Sequence, residues 1–195
     1  MTLLDERPAT ARRAMIDSQL RVSGVNDPAV LAAFDAVARE DHVPAQLSPT
    51  AYIDRALPLG DGHSLPAPLV HGRMLIEAAI RSGEKVLVVS TNGYLAALAS
   101  QLGAAVTTLS PTDVAGKKKA GPFDVVLVDG AAEVLPASLA AMVTEDSRIV
   151  TGVIERGISR LAAGRKAAGA IALLPLAEIG IPAIPEFAAA KGWSF

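Results

Sequence analysis

The chain has 195 residues, enough for one domain with a substantial core, and 51% of them are hydrophobic against 19% charged. A net charge of −2 gives no electrostatic reason to expect binding to nucleic acid or to an anionic membrane. The lack of cysteine excludes disulfides and thiolate metal sites, three scattered histidines do not suggest a metal site, and no apolar run reaches membrane-spanning length. With no signal-peptide core at its start, the chain is expected to be a cytoplasmic α/β protein.

Three helices and a cover loop are predicted before the sheet. The helices lie at 10–21, 27–39 and 68–81, each with an apolar stripe at helical spacing. Asp27–Pro28 gives the second helix a cap and a first-turn proline, and Gly83 closes the third. Prolines and glycines predict an irregular stretch from 40 to 68. We interpret residues 1–82 as this N-terminal part and residues 83–195 as the sheet of one domain.

A doubly wound sheet is predicted from apolar runs that alternate with helical patterns. The β-branched run at 85–89 is too short for a helix and is bounded by Gly83 and Asn92–Gly93, which predicts a central parallel strand. Further strands are predicted at 105–109, 123–128 and 148–153, helices at 94–103 and 136–142, and an antiparallel pair at 158–163 and 170–174. This order predicts an α/β fold whose sheet is mostly parallel, with an antiparallel strand at or near one edge.

The turn after 85–89 is the predicted ligand site, because ligands of open α/β sheets bind beyond the carboxyl ends of the strands. Enzymes that bind dinucleotides or S-adenosylmethionine place several glycines in this turn, so that the backbone approaches the cofactor closely. This chain has only Gly93 there. An ordinary strand-to-helix turn without a ligand therefore stays open as an alternative.

Four segments resemble the protein-L-isoaspartate O-methyltransferase family and follow the family's order. They read Met15-Ile-Asp-Ser-Gln-Leu20, Ala38-Arg-Glu-Asp-His-Val-Pro44, Ala51-Tyr-Ile-Asp-Arg-Ala-Leu-Pro-Leu-Gly60 and Phe123-Asp-Val-Val-Leu-Val128. The resemblance runs from about residue 10 to about residue 175. It implies a Rossmann-like class I methyltransferase fold, S-adenosylmethionine as methyl donor, and isoaspartyl carboxylates of damaged proteins as acceptors.

The same resemblance places the loop before the third helix at the reaction centre. Where the family reads roughly G-Q-T-I-S-x-P, this chain reads Gly62-His-Ser-Leu-Pro-Ala-Pro68. Ser64 matches the threonine, whereas Pro66 stands where a serine is expected and removes both a hydroxyl and an N–H. His63 and Ser64 are the catalytic candidates, although no acidic residue is evident to orient the histidine, and a loop histidine over a closed pocket is the alternative.

The resemblance also implies a set of cofactor-binding positions. They are Ser90, Asn92, Gly93, Tyr94, Ser110 and Asp129. The family's turn resembles E-I-G-T-G-S-G-Y, so this chain keeps Gly93 and Tyr94 and loses the other glycines and the acidic residue. Ser110 stands where the family has an acidic ribose ligand, with Asp113 as a substitute, and Asp129 follows a strand on the ligand side, where it faces a pocket or solvent.

The stretch between the 105–109 and 123–128 strands is too short for the helix and strand that the resemblance implies there. The 105–109 strand is therefore expected near a sheet edge, where its lack of charge predicts self-association into a homo-oligomer or cover by another segment.

The function predicted from these losses is non-catalytic. A carboxylate bonded to ribose is worth about 1.5–3 kcal/mol, so its loss together with the glycine turn costs several decades of affinity. We therefore expect a binding or assembly protein with no bound cofactor. The alternative is an active methyltransferase that uses S-adenosylmethionine on protein substrates with isoaspartyl residues, and a different small ligand in the same site is a third possibility.

Overall fold

The computed structural model describes residues 6–116, 118 and 120–190. No helix in this part of the chain has the length and apolarity needed to cross a membrane. The N-terminal helices are α1 (Glu6–Met15), which continues through a π turn (Ile16–Leu20) and a 3-10 turn (Arg21–Ser23), α2 (Pro28–Ala36) and α3 (Pro68–Ala78).

Each of the three predicted N-terminal helices is wrong at one end. Helix α2 ends at Ala36, because Val37 is extended, and not near residue 39 as predicted. Helix α1 is already formed at Glu6, before the predicted start at residue 10. Asp27 caps α2 as predicted, since its carboxylate accepts hydrogen bonds from the amides of Ala29 and Val30 at 2.9 and 3.0 Å. Helix α3 stops at Ala78 because Ala79 adopts a left-handed conformation with φ 45°, so Gly83 does not close it.

The stretch predicted to be irregular contains a β-hairpin and two 3-10 turns, Arg39–His42 and Ala45–Thr50. Strands β1 (Leu57–Gly60) and β2 (His63–Leu65) pair antiparallel. Their two-residue turn is Asp61–Gly62, with φ angles of 50° and 79°. An Asp-Gly pair with positive φ at both positions is a strong hairpin signal. The hairpin was not predicted from the sequence, because strands this short show no alternation.

The central sheet confirms the predicted fold class. Its order is β4-β3-β5-β6-β7-β8. The strands are β3 (Lys85–Val89), β4 (Ala105–Leu109), β5 (Phe123–Ala132), β6 (Val143–Glu155), β7 (Ile158–Ala167) and β8 (Ala170–Glu178). Strands β4, β3, β5 and β6 are parallel, and β7 and β8 add an antiparallel hairpin at one edge. Strands β5 and β6 are several residues longer than predicted.

Strand β4 lies at the other edge, as predicted. Helix α4 (Tyr94–Gln101) connects β3 to β4, and the described residues between β4 and β5 form a single five-residue helix, α5 (Pro111–Ala115). The amide of Ala105 donates to Glu84 and the carbonyl of Leu109 accepts from Ser90, so these alternate residues of β4 face β3. The backbone groups of Val106 and Thr108 therefore point away from the sheet.

The two faces of the sheet form separate cores. Along β3, Val86 and Val88 pack against α1 to α4, whereas Leu87 and Val89 pack on the opposite face. That second face is covered by α5, by a 3-10 turn (Ala137–Ala141) and by residues 184–187 of the C-terminal strap, which runs from 179 to 189 and whose Ile181 packs in the first core. The strap crosses the carboxyl end of β5, where Ala131 donates to Pro182 and accepts from Ile184, both at 2.8 Å.

Candidate functional site

The carboxyl ends of β3 and β5 meet at the point where the strand order reverses. The chain leaves β3 for β4 on one side and then crosses to β5 on the other, with α4 and α5 on opposite faces. Such a switch point leaves a crevice in which open α/β sheets bind their ligands. Ser90, Asn92 and Asp129, three of the predicted cofactor positions, are brought together here.

Asp129 is a buried carboxylate that accepts three hydrogen bonds. Its side chain has no exposed surface. Oδ1 accepts from Nε2 of His71 at 2.7 Å, and Oδ2 accepts from the Ser90 hydroxyl at 2.8 Å and from Nδ2 of Asn92 at 3.4 Å. Burial raises the pKa of Asp129, but the adjacent His71 and the other donors outweigh it and leave the pKa below its ordinary value. The side chain thus faces neither solvent nor an open pocket.

His71, on α3, is a member of the site that the sequence reading missed. It is fully buried, and its Nδ1 lies 3.4 Å from Nη1 of Arg39. A guanidinium only donates, so Nδ1 accepts and the ring proton is on Nε2, which donates to Asp129. Burial lowers the pKa of His71 despite the nearby carboxylate, which keeps the ring neutral. A polar residue between Val70 and Met74 on the apolar stripe of α3 was the available signal.

Arg39 is also fully buried, in the segment between α2 and the hairpin. Its Nε donates to the carbonyl of Ala51 at 2.7 Å and its Nη2 to the carbonyl of Pro66 at 2.6 Å. The guanidinium carbon lies 5.0 Å from the ring centre of Tyr94, a cation–π contact. Pro66, which stands where the family has a serine, thus supplies an acceptor for Arg39 through its backbone.

The turn after β3 is shaped by side chains. Oδ1 of Asn92 accepts from the amide of Tyr94 at 2.9 Å, and the carbonyl of Asn92 accepts from Nδ1 of His42 at 3.0 Å. Gly93 has φ 77°, a conformation in which glycine is favoured. The Tyr94 side chain is buried, with its ring centre 5.3 Å from that of His42 and 5.4 Å from that of His71. Thr91 and Asn92 are the residues of this turn that line a cavity between the turn and the β1–β2 hairpin.

A cavity of about 490 Å³ lies between this turn and the β1–β2 hairpin. Its polar lining includes Asp41, His42, Asp61, His63, Thr91 and Asn92. The volume is in the range of small-molecule sites. His63 and Asn92 are the predicted site residues in this lining, with Ser90 and Asp129 in the buried network beside Asn92. Neither Ser64 nor Ser110 lines it.

His63 and Ser64 do not form a pair, because successive residues of β2 point to opposite faces. Instead, Nε2 of His63 lies 3.3 Å from Oε1 of Glu186, in the strap, and the same oxygen accepts from the Thr112 hydroxyl at 3.1 Å. Glu186 therefore links the hairpin to α5 above the crevice.

Ser110 and Asp113 form a capping box at the start of α5. The Ser110 hydroxyl accepts from the amide of Asp113 at 3.0 Å, and the Asp113 carboxylate accepts from the amide of Ser110 at 3.4 Å. The bond to Ser110 is the main cause of the lowered pKa of Asp113. Both predicted ribose positions are thus engaged at the helix end. Across the described part of the chain, no three His, Asp or Glu side chains are grouped to hold a metal ion.

Comparisons with known proteins agree with this architecture. A family model described as protein-L-isoaspartate(D-aspartate) O-methyltransferase matches residues 10–110. The protein-L-isoaspartate O-methyltransferase of Koribacter versatilis is 35% identical, and the match covers 83% of this chain and 84% of the relative. That of Methanoculleus marisnigri is 30% identical, and the match covers 93% of each chain.

A solved structure shows the same fold. It is described as a beta-aspartate methyltransferase from Plasmodium falciparum in complex with S-adenosyl-L-homocysteine. The TM-score is 0.71 at 18% identity, and the match covers 92% of this chain and 98% of the other.

Proposed function

Because the chain belongs to the protein-L-isoaspartate(D-aspartate) O-methyltransferase family, we propose that it transfers the methyl group of S-adenosylmethionine to isoaspartyl carboxylates in damaged proteins. The observation that carries this proposal is the cavity of about 490 Å³ beyond the carboxyl end of β3, in the half of the chain that matches the family. The relatives are named as methyltransferases, and the solved neighbour holds S-adenosyl-L-homocysteine. These findings favour the active alternative, and the expectation of a non-catalytic chain without a cofactor finds no support in them.

The residues around the cavity fit such a cofactor in size and in chemistry. The exposed carboxylates of Asp41 and Asp61 and the hydroxyl of Thr91 are acceptors suited to ribose hydroxyls or an ammonium group. Two carboxylates beside the cavity also favour a positively charged ligand. When bound, the cofactor would supply an activated methyl group on a positive sulfur. Gly93, with its positive φ, sets the path of the turn whose residues Thr91 and Asn92 reach the cavity.

The part of the reaction assigned to this chain is positioning. An isoaspartyl carboxylate is ionised at neutral pH and needs no base, so the rate depends on holding it in line with the methyl group. His63, in the cavity lining, is the side chain suited to hold it, provided that the substrate carboxylate replaces that of Glu186, which lies 3.3 Å from Nε2. After transfer the ester is neutral and no longer attracts a charged partner, which favours its release.

A second candidate is a non-catalytic binding or assembly protein. The observation that favours it is that predicted cofactor groups are already engaged within the protein. Asp129 uses both oxygens internally, and Ser110 caps α5. A ligand would have to be bound by other groups of the cavity.

The test is binding and methyl transfer by the full chain. We expect calorimetric titration to give micromolar affinity for S-adenosylhomocysteine, and radiolabelled methyl to pass from S-adenosylmethionine to an isoaspartyl peptide but not to its aspartyl counterpart. Thr91→Trp, which places an indole in the cavity, should abolish both. Val22→Trp is the matched control, because Val22 is 73% exposed and lies outside the cavity lining. No binding at millimolar ligand together with no transfer would favour the non-catalytic candidate.

A further inference from the structure

We infer that His71 is a positioning residue for the ligand turn after β3, acting through Asp129 on Ser90 and Asn92. What that turn binds rests on the proposed function, whereas the coupling between His71 and the turn does not. The connected side chains Arg39, His71, Asp129, Ser90 and Asn92 are called the relay below. His71 lies 58 residues from Asp129 in the chain, on a helix that does not line the cavity.

The relay has one consistent arrangement of protons. Arg39 donates to Nδ1 of His71 at 3.4 Å, and Nε2 of His71 donates to Asp129 at 2.7 Å. From the other end, the amide of Asn92 donates to the Ser90 oxygen at 3.3 Å, and the Ser90 hydroxyl donates to Asp129 at 2.8 Å. Both series of hydrogen bonds, one from Arg39 and one from the Asn92 amide, end on the Asp129 carboxylate. A change at His71 therefore alters the acceptor on which the turn depends.

The burial of the relay indicates that the histidine does more than fill space. Arg39, His71 and the Asp129 side chain have no exposed surface. A leucine on α3 would pack there without the cost of burying a polar ring. The histidine adds a donor to Asp129 and an acceptor for Arg39, which connects two buried opposite charges through a neutral group.

The consequence for the cavity follows from Asn92, which belongs both to the relay and to the lining. Its side chain bonds Asp129 and the amide of Tyr94, and its carbonyl accepts from His42. With a single glycine in the turn, these bonds set its shape. Losing the donor from His71 leaves Asp129 short of one partner, and we expect Ser90 and Asn92 to reorient toward it.

Acid should loosen the relay in the same way. The charged and titratable groups around His71 come from three elements. Arg39 and His42 belong to the segment after α2, Asp129 to β5 and the Tyr94 ring to α4. A second proton on the ring would sit on Nδ1 and face the guanidinium of Arg39, so the contact at 3.4 Å would become repulsive.

The test compares His71→Leu with His71→Gln and uses Met74→Leu, in the same buried face of α3, as the matched control. A glutamine can still donate to Asp129 and accept from Arg39, whereas a leucine does neither. We expect His71→Leu to move the backbone amide resonances of Asn92 and Gly93 and to weaken S-adenosylhomocysteine binding by at least about tenfold. His71→Gln should largely restore both, and Met74→Leu should change neither.

Two results would overturn the inference. One is a lower melting temperature for His71→Leu with unmoved amides in the turn, which is the result for a purely structural residue. The other is a His71→Gln variant as perturbed as His71→Leu. If His71→Leu does not fold, His71→Asn replaces it, because its shorter amide does not reach Asp129, and amides unmoved in that variant also refute the coupling. If the unmodified chain binds no S-adenosylhomocysteine, the proposed function fails while the amide comparison still decides this inference.

Discussion

Replacing Asp129 with Asn is expected to lower the free energy of unfolding by about 3–5 kcal/mol at neutral pH, because it leaves the buried Arg39 charge without the anion that balances it through His71. The carboxylate accepts from His71, Ser90 and Asn92, and it is the buried anion nearest to the Arg39–His71 pair. A carboxamide has one acceptor oxygen and turns two N–H groups toward side chains that already donate. One lost charge-assisted bond, about 1.5–3 kcal/mol, plus one donor left unpaired, about 1–3 kcal/mol, gives a loss of this size.

Urea unfolding followed by circular dichroism measures this loss, with the denaturant slope used to confirm that both proteins unfold to the same extent. Asp124→Asn is the matched control at the other end of β5. Asp124 is exposed and accepts from the amide of Lys85 at 2.8 Å, so its replacement should cost under about 1 kcal/mol. If Asp129→Asn costs no more than Asp124→Asn, Asp129 is not the charged centre of the site and the relay is described wrongly.

Three further predictions follow from the structure. Burial lowers the pKa of His71 below its unfolded value of about 6.5, so below that pH the unfolded chain binds more protons than the folded one. The free energy of unfolding should therefore decrease on acidification, by up to about 1.4 kcal/mol per pH unit. Urea unfolding at several pH values measures this slope, which should be smaller in His71→Gln. Gly152→Ala should cost about 1–3 kcal/mol in thermal unfolding, because its Cβ would lie 2.7 Å from that of Ala131, whereas Gly180→Ala meets nothing within 4 Å and should be neutral. The open edge of β4 is expected to support self-association, measured by light scattering; Thr108→Lys should weaken it, and a monomer at every concentration would contradict the prediction.

The fold was predictable where short β-branched or apolar runs are bounded by turn residues. The run at 85–89 agrees with β3, and the antiparallel pair at the end of the sheet was recognised although both strands are longer than predicted. The predicted ends of helices were wrong where the backbone conformation of a single residue sets the end. Helix α3 ends at Ala78 because Ala79 is in a left-handed conformation, and alanine gives no signal of this.

The candidate site was predictable only in the part that strand ends define. Ser90, Asn92 and Asp129 meet because neighbouring parallel strands have their carboxyl ends on the same side of the sheet. Arg39 and His71 come from segments far away in sequence, and no local pattern encodes that two buried polar residues will meet. In the sequence, Arg39 resembles the end of a helix, and His71 is one polar residue on an apolar stripe.

The unequal cover of the two sheet faces has a consequence for motion. One face carries α1 to α4, whereas the other is covered by α5, a short 3-10 turn and residues 184–187 of the C-terminal strap; the strap also holds the carboxyl end of β5. Regions with less buried contact open at a lower free energy than the whole domain. Amide hydrogens beneath the strap, including that of Ala131, should therefore exchange with solvent before those of β3. The carboxyl end of β5, which borders the crevice, would then be the first part of the sheet to open.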